Sequence, residues 1–473
     1  MRVSWAVRAA FRSGRPFEAQ GAIVPAQLIA ELLLDGPSAR AGRTARVDLS
    51  GAHITGRLDL TGARIDAPIR LRGCTFAEPL LLDHAELGSA NLDECTLPSL
   101  DAESLRVRRW FGLRRATVTG EAWFHHVRVD GGLDLTGTAF AGAVNLQRAV
   151  IEGDAKIGHG AVYSSGARLD GARIAGDLNI AQCTVRSPRP GAPAIAANGA
   201  VVGGGVWAHE LRADGMVMFI GLRAAGAIVL QGSLLQAPPS DSALLLIEAE
   251  TAMLTLRPAP ASSGAISLRD AHVGRLVDDP VGWPAGCTIE LAGLTYDRIS
   301  RRSDDTRAWT ARERLAWMAR CDPAFAPGPY DQLAAALRRD GREQEARQVL
   351  RVRERLRHRA MGRLGAVWGA VQDATIGFGY RPARALLWLL AVFGAGSGWF
   401  AWSGPLSPVK PGEAPTWDPL LYTLDLLVPL VDLGHEHAWN PTGPDKAVAV
   451  LIMAVGWVLA TTVIAGAGRA LRR

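Results

Sequence analysis

Inward-type residues recur in this chain as i, i+2 pairs whose starts step by five, then six, then five again. Val47/Leu49, Ala52/Ile54, Leu58/Leu60, Ala63/Ile65, Ile69/Leu71, Cys74/Phe76, Leu80/Leu82 and Ala85/Leu87 set the phase. An i, i+2 pair places two side chains on one face of a short extended segment. A fixed short period of such pairs means a solenoid, because each unit must bury its apolar face against the next. Two pairs make a module of about eleven residues, and four faces make a coil of about 22. Glycines between pairs (Gly51, Gly62, Gly73 and Gly137) mark corners where the chain turns.

The phase continues through Ala90/Leu92, Cys95/Leu97, Leu100/Ala102 and Leu105/Val107. After a less regular stretch it resumes from Leu133/Leu135 to Gly160/Val162 and from Ala172/Ile174 to Cys183/Val185, with weaker matches to Ile289/Leu291. Pro-rich interruptions at Ser187–Pro193, Ala237–Ser240 and Pro258–Ser263 read as loops pushed out between coils. The i, i+2 pattern resembles the pentapeptide-repeat family, with an extra residue in every second unit. That family's Asp/Asn before the central Leu survives at Asp48, Asp59, Asp134 and Asn145. The resemblance implies a right-handed, four-sided β-solenoid over 46–300. Residues 1–45 read as an N-terminal cap with one helix, Pro25 to Leu34, covering the open end of the rod.

After Ile299 the period becomes helical. Residues 301–365 suit an αα-hairpin turning at Asp340-Gly341, with Ala334, Leu337, Ala346, Val349, Leu350 and Leu356 as its apolar stripe. It looks like a single tetratricopeptide-type hairpin. Residues 366–473 read as a membrane domain. The uncharged runs at about 385–402 and 447–468 are long enough to cross a hydrocarbon core of about 30 Å. Arginine flanks both runs, whereas the connection 403–446 carries six acids against Lys410 and Lys446. This asymmetry predicts a two-span protein of the cell membrane with both termini cytoplasmic and 403–446 outside. The N-terminus lacks a signal-peptide pattern, and the cysteines lack metal or disulfide spacing, so Cys74, Cys95 and Cys183 are expected in the core.

Candidate sites are few. Arg351, Arg353, Arg355, Arg357, Arg359 and Arg363 suit attraction to anionic headgroups, so a lipid membrane rather than nucleic acid is the expected partner. Asp425 and Asp432 are seven residues apart, on one helical face if the run Leu420 to Leu433 is a helix, interfacial or re-entrant. Rings of such carboxylates attract cations in oligomeric pores. Asp432, His435, Glu436 and His437 form the densest set of metal-ligand types. No P-loop, GxSxG or HExxH occurs, so neither a catalytic residue nor a cofactor is expected.

The whole plan resembles a group of actinobacterial membrane proteins sometimes named membrane-associated oxidoreductases. The leading expectation is a membrane-anchored cytoplasmic solenoid that acts as an interaction scaffold or sensor, with a protein partner on its face. The alternatives are a homo-oligomeric two-span channel gated by the solenoid and, by the resembling proteins' name alone, an oxidoreductase.

Overall fold

The computed structural model describes residues 2–36, 42, 44–238, 241–301, 309–321, 325–363, 365, 370, 382–410, 412–428 and 432–471. The chain divides into two compact units, Met1–Gly341 and Arg342–Arg473.

The first unit is built on a parallel β-solenoid of about eleven turns. Val47 pairs with Ile69, Ile69 with Ala90, and Ala90 with Phe111, one coil apart each time. Three further ladders run alongside, through His53/Thr75, Leu58/Leu80 and Arg64/Glu86. Each coil therefore has four short faces, as the repeat predicts. The i, i+2 pairs point inward, and Leu49, Ile54, Leu58, Leu60, Ile65 and Leu71 are all buried. The rod starts earlier than the sequence suggested, because Phe17–Glu18 and Ile23–Pro25 already pair with the first full coil. The stretch that looked irregular is a regular part of the rod: Phe111/Leu113, Ala116/Val118, Ala122/Phe124 and Val127/Val129 are buried inward pairs.

The five-and-six step reflects two kinds of corner. One is tight and passes through a left-handed residue about every eleven positions. Glycine takes it at Gly51, Gly62, Gly73 and Gly137, and polar residues at His84, Glu94, Ser104, Arg115, His126 and Arg148. Non-glycine residues rarely adopt positive φ, so these corners need support. At three of them an Asn at the preceding strand end provides it: Asn91 accepts from Asp93 N at 3.0 Å before Glu94, Asn145 from Gln147 N at 3.0 Å before Arg148 and Asn179 from Ala181 N at 3.0 Å before Gln182; Asp59 and Asp134 make the same bond at 3.0 Å before Gly62 and Gly137. These bonds close an Asx turn into the corner. Asp48 departs from the pattern and pairs with Arg46 at 3.1 Å instead.

The other corner is wider and carries the extra residue. Along one wide edge Gly131, Gly153, Gly176, Gly204 and Gly226 stack coil upon coil, each N–H after the first donating to the glycine carbonyl before it at 2.8–3.1 Å. From residue 223 the wide corners straighten. Arg223–Gln231, Glu250–Arg257, His272–Asp278 and Thr295–Ser300 each continue across what had been two faces. The last coils are thus flatter, with long strands on two sides.

Helices close both ends. α1 (Arg2–Ser13), which the sequence reading missed, and α2 (Ala26–Leu34) contact the first strands; Ile29, Leu32 and Leu33 of α2 are buried. At the far end α3 (Ala311–Cys321) and α4 (Pro327–Arg339) contact the last strands. Arg314 of α3 forms a buried ion pair with Asp278 and stacks on Trp317, its guanidinium 4.2 Å from the ring centre.

The second unit holds α5 (Glu343–Ala360), α6 (Pro382–Ser403), α7 (Pro419–Leu427) and α8 (Pro444–Leu471). The runs expected to cross a membrane are helical. Among the described residues, however, no helix is long and apolar enough to do so. This overturns the two spans at 385–402 and 447–468. The two-span cell-membrane placement, with cytoplasmic termini and an outer loop, falls with them. In α6 the aliphatic residues are diluted by Gly394, Gly396, Ser397, Gly398 and three tryptophans. α8 opens on Asp445 and Lys446. Part of the apolar content is used in a local core, where Phe400, Tyr422, Leu426, Leu427, Ala449 and Ile452 are buried together. Another part, including Trp388, Leu390, Leu451 and Trp457, stays exposed on the outer side. Side chains at 385–386 and 459–468 of these runs lie outside the described residues.

Candidate functional site

The sequence-predicted pore and metal residues fall around the end of α7. Asp418 caps that helix, accepting from Leu420 N at 2.8 Å and Leu421 N at 3.2 Å. The helix stops at Leu427, and residues 429–431 lie outside the described residues, so Asp425 and Asp432 do not share a helical face. Asp425 is buried, only 3% exposed. Its carboxylate accepts three backbone N–H groups, from Leu433 at 2.7 Å, His435 at 2.8 Å and Glu436 at 2.7 Å. It therefore pins the returning loop rather than facing a shared axis. Asp432 is exposed and accepts from Gly434 N at 2.8 Å. His435 is buried, Glu436 half-buried and His437 exposed. Among the described residues no three His, Cys, Asp or Glu side chains are placed to hold a metal ion. The neighbouring Tyr422 phenol is pushed up to about 12, first by burial and then by the Glu436 and Asp445 carboxylates.

The arginine run lies on α5 and just beyond it. At 100° per residue, i+2 spacing alternates between opposite sides of a helix. Arg351, Arg355 and Arg359 therefore form one row, and Arg353 and Arg357 another. Arg355, Arg357, Arg359 and Arg363 are exposed, and Glu354 pairs with both Arg353 and Arg357. The headgroup reading rested on an adjoining span, which the structure does not provide.

The concave surfaces belong to the solenoid. The loop at 187–193 and the chain at 237–238 and 241–242 leave the rod at the same wide corner, one coil on either side of a short coil containing Asp214, Gly215 and Met216. Between them lies a cleft of about 690 Å³ lined by Pro188, Pro190, Pro238 and Met216, with Arg189, Asp214 and Asp241 as its charged groups. The first loop is held by Ser187, whose hydroxyl donates to Arg189 O at 2.6 Å and Ala192 O at 2.7 Å.

A second concavity lies on the flattened end, where the straightened corner leaves Ala252 and Gly274 as its floor. It measures about 770 Å³ and is lined by Arg275, Arg298, Arg339 and Asp297. A neighbouring groove of about 490 Å³ shares Gly274, Asp297 and Arg339 and adds His272 and Gln332. Arg339 is committed to Asp297 at 2.7 Å and to Tyr296 O at 2.8 Å. Sequence reading missed both concavities, although the Pro-rich insertions pointed to the first.

Cys74, Cys95, Cys183 and Cys287 are buried and form no disulfide. Cys74 and Cys95 occupy the same position in successive coils, and Cys95 Sγ donates to Leu71 O at 3.3 Å. Burial pushes the Cys183 thiol up to about 12. All three are core residues, as expected from the repeat.

Compared with protein-family models, curated proteins and solved structures, the chain matches none, so neither membrane association nor the oxidoreductase name draws support from a relative.

Proposed function

We propose that this protein is an interaction scaffold, with the solenoid as a rigid platform on which an extended segment of a partner protein docks. The observation that carries the reading is the cleft between the loop at 187–193 and the residues Ala237, Pro238, Asp241 and Ser242. Two insertions at one corner, flanking a coil without one, make a slot two coil spacings wide, about 10 Å. That width suits an extended chain. Its walls supply proline and methionine contact with a few charged groups at the rim, the composition of a binding cleft. The ladder beneath cannot bend without breaking hydrogen bonds in successive coils, so the slot is preformed and the ordering cost of binding is small.

Site-specific photo-cross-linking in the full-length chain tests this. A cross-linker at Met216 should trap a defined protein adduct, and Arg189→Glu should diminish it. A control cross-linker at Arg57, on the same edge far from the cleft, should trap little. Equal trapping at both positions, or insensitivity to Arg189→Glu, would refute the reading.

A further inference from the structure

The geometry points to a binding site for a diphosphate group in the groove at the flattened end of the solenoid, held by Arg275 and Arg298. This does not rest on the scaffold reading and involves a different part of the rod.

Arg275 and Arg298 are direct partners in neighbouring parallel strands. Their side chains therefore leave the same face one strand spacing apart, about 4.8 Å. Like charges paired in this way destabilise a sheet. At several other positions along the rod an arginine is answered across coils: Arg64 meets Glu86 at 3.3 Å, Arg223 meets Glu250 at 3.5 Å and Arg269 meets Glu290 at 3.9 Å. Arg275 and Arg298 have no such answer. Among the described residues neither side chain makes an ion pair or a hydrogen bond. Of the two acids that line the groove, Asp297 is already engaged by Arg339 at 2.7 Å. Asp340 stands at the rim of the groove, and the three arginines outnumber the two acids there.

The floor favours a ligand too. At Gly274 a Cβ would sit 2.6 Å from Ala252 O, so the position stays bare and the groove stays deep beside Arg275. Two guanidiniums one spacing apart offer paired N–H forks, each matched to one phosphoryl group. A single small anion can engage one fork fully, whereas a diphosphate engages both. The groove of about 770 Å³ exceeds an inorganic diphosphate, and the contiguous groove past His272 and Gln332 gives room for an attached organic group. The shared chemistry is the diphosphate, free or as the end of a larger molecule.

Calorimetric titration of the full-length protein with inorganic pyrophosphate, ADP and orthophosphate tests the assignment. Pyrophosphate or ADP should bind at one site, at least tenfold more tightly than orthophosphate. Arg275→Gln and Arg298→Gln should each weaken that binding tenfold or more, while Arg57→Gln should leave it unchanged. ADP binding more tightly than pyrophosphate would assign the adjoining groove to the organic group; equal affinity would restrict the site to the diphosphate. The unliganded melting temperature checks folding, and removing one of two stacked like charges should hold or raise it. Absence of pyrophosphate and ADP binding, orthophosphate binding as tightly, or binding indifferent to both substitutions in folded protein would overturn the proposal.

Discussion

Replacing Gly153 by alanine should loosen the solenoid locally although the change adds one methyl group. Gly153 does not have positive φ, so the penalty is one of contact and not of backbone conformation. The added Cβ would lie 2.8 Å from Gly131 O, 3.0 Å from Gly131 C and 3.2 Å from Gly132 N. All three are backbone atoms of the neighbouring coil and cannot rotate away. Restoring an ordinary contact requires the coils to separate by roughly 0.5 Å, because interiors are close-packed. The Gly153 N to Gly131 O bond, now 2.9 Å, would stretch towards the limit of a useful hydrogen bond. Overpacking of about 1–3 kcal/mol and about 1 kcal/mol for the weakened bond give a total loss of about 2–4 kcal/mol. Chemical denaturation followed by circular dichroism measures it. Hydrogen exchange locates it, because a stacked rod transmits damage mainly to nearest neighbours: protection should fall around residues 131–177 and persist around 52–87. Gly62→Asn is the contrasting substitution. Gly62 has φ +67° with no heavy atom within 4 Å of an added Cβ, and asparagine tolerates that conformation, so the loss should stay within about 1 kcal/mol. Equal stability of Gly153→Ala and wild type, or equal losses in the two variants, would refute the close-contact argument.

Asp425→Ala removes the acceptor of three backbone N–H groups and should cost about 2–4 kcal/mol, read as a lower melting temperature and faster proteolysis between residues 428 and 440. Tyr163 is buried, stacks on Phe140 at 5.3 Å and donates to Ile157 O at 2.7 Å; Tyr163→Phe should cost about 1–2 kcal/mol in denaturant titration. Burial alone would raise the Asp93 carboxyl, but the Arg114 side chain and N–H and the neighbouring Asn91 hold it below the usual carboxylate range. Its folded value is therefore depressed: its stabilisation is full above the unfolded value of about 4 and is lost as pH falls through the lower folded value. Acid unfolding of Asp93→Asn should accordingly show a flatter limb below pH 4, and an unchanged limb would remove Asp93 from the account.

The inward pairs were readable in the sequence because a strand's alternation is local: Leu58 and Leu60 face the core whatever lies above them. The burial of Cys74, Cys95 and Cys183 and the turns at Gly51, Gly62, Gly73 and Gly137 followed from the same phase. The polar left-handed corners did not. His84, Glu94 and Arg115 look like ordinary surface residues until the tight corner is seen. Nor did the Gly131–Gly226 ladder, since each contact links residues about a coil apart in the chain. The stacking of Arg275 on Arg298 is hidden for the same reason. Asp425 looked like a pore carboxylate because residue type shows charge but not the three N–H groups that come back to meet it. Hydropathy likewise counted the apolar residues of 385–402 and 447–468 without showing that Phe400 and Ile452 pack on Tyr422. The sequence by itself determined a stacked rod, because a period is repeated local geometry. Only the tertiary structure decided which charges meet, where coils touch and what the apolar helices pack against, because those depend on partners distant along the chain.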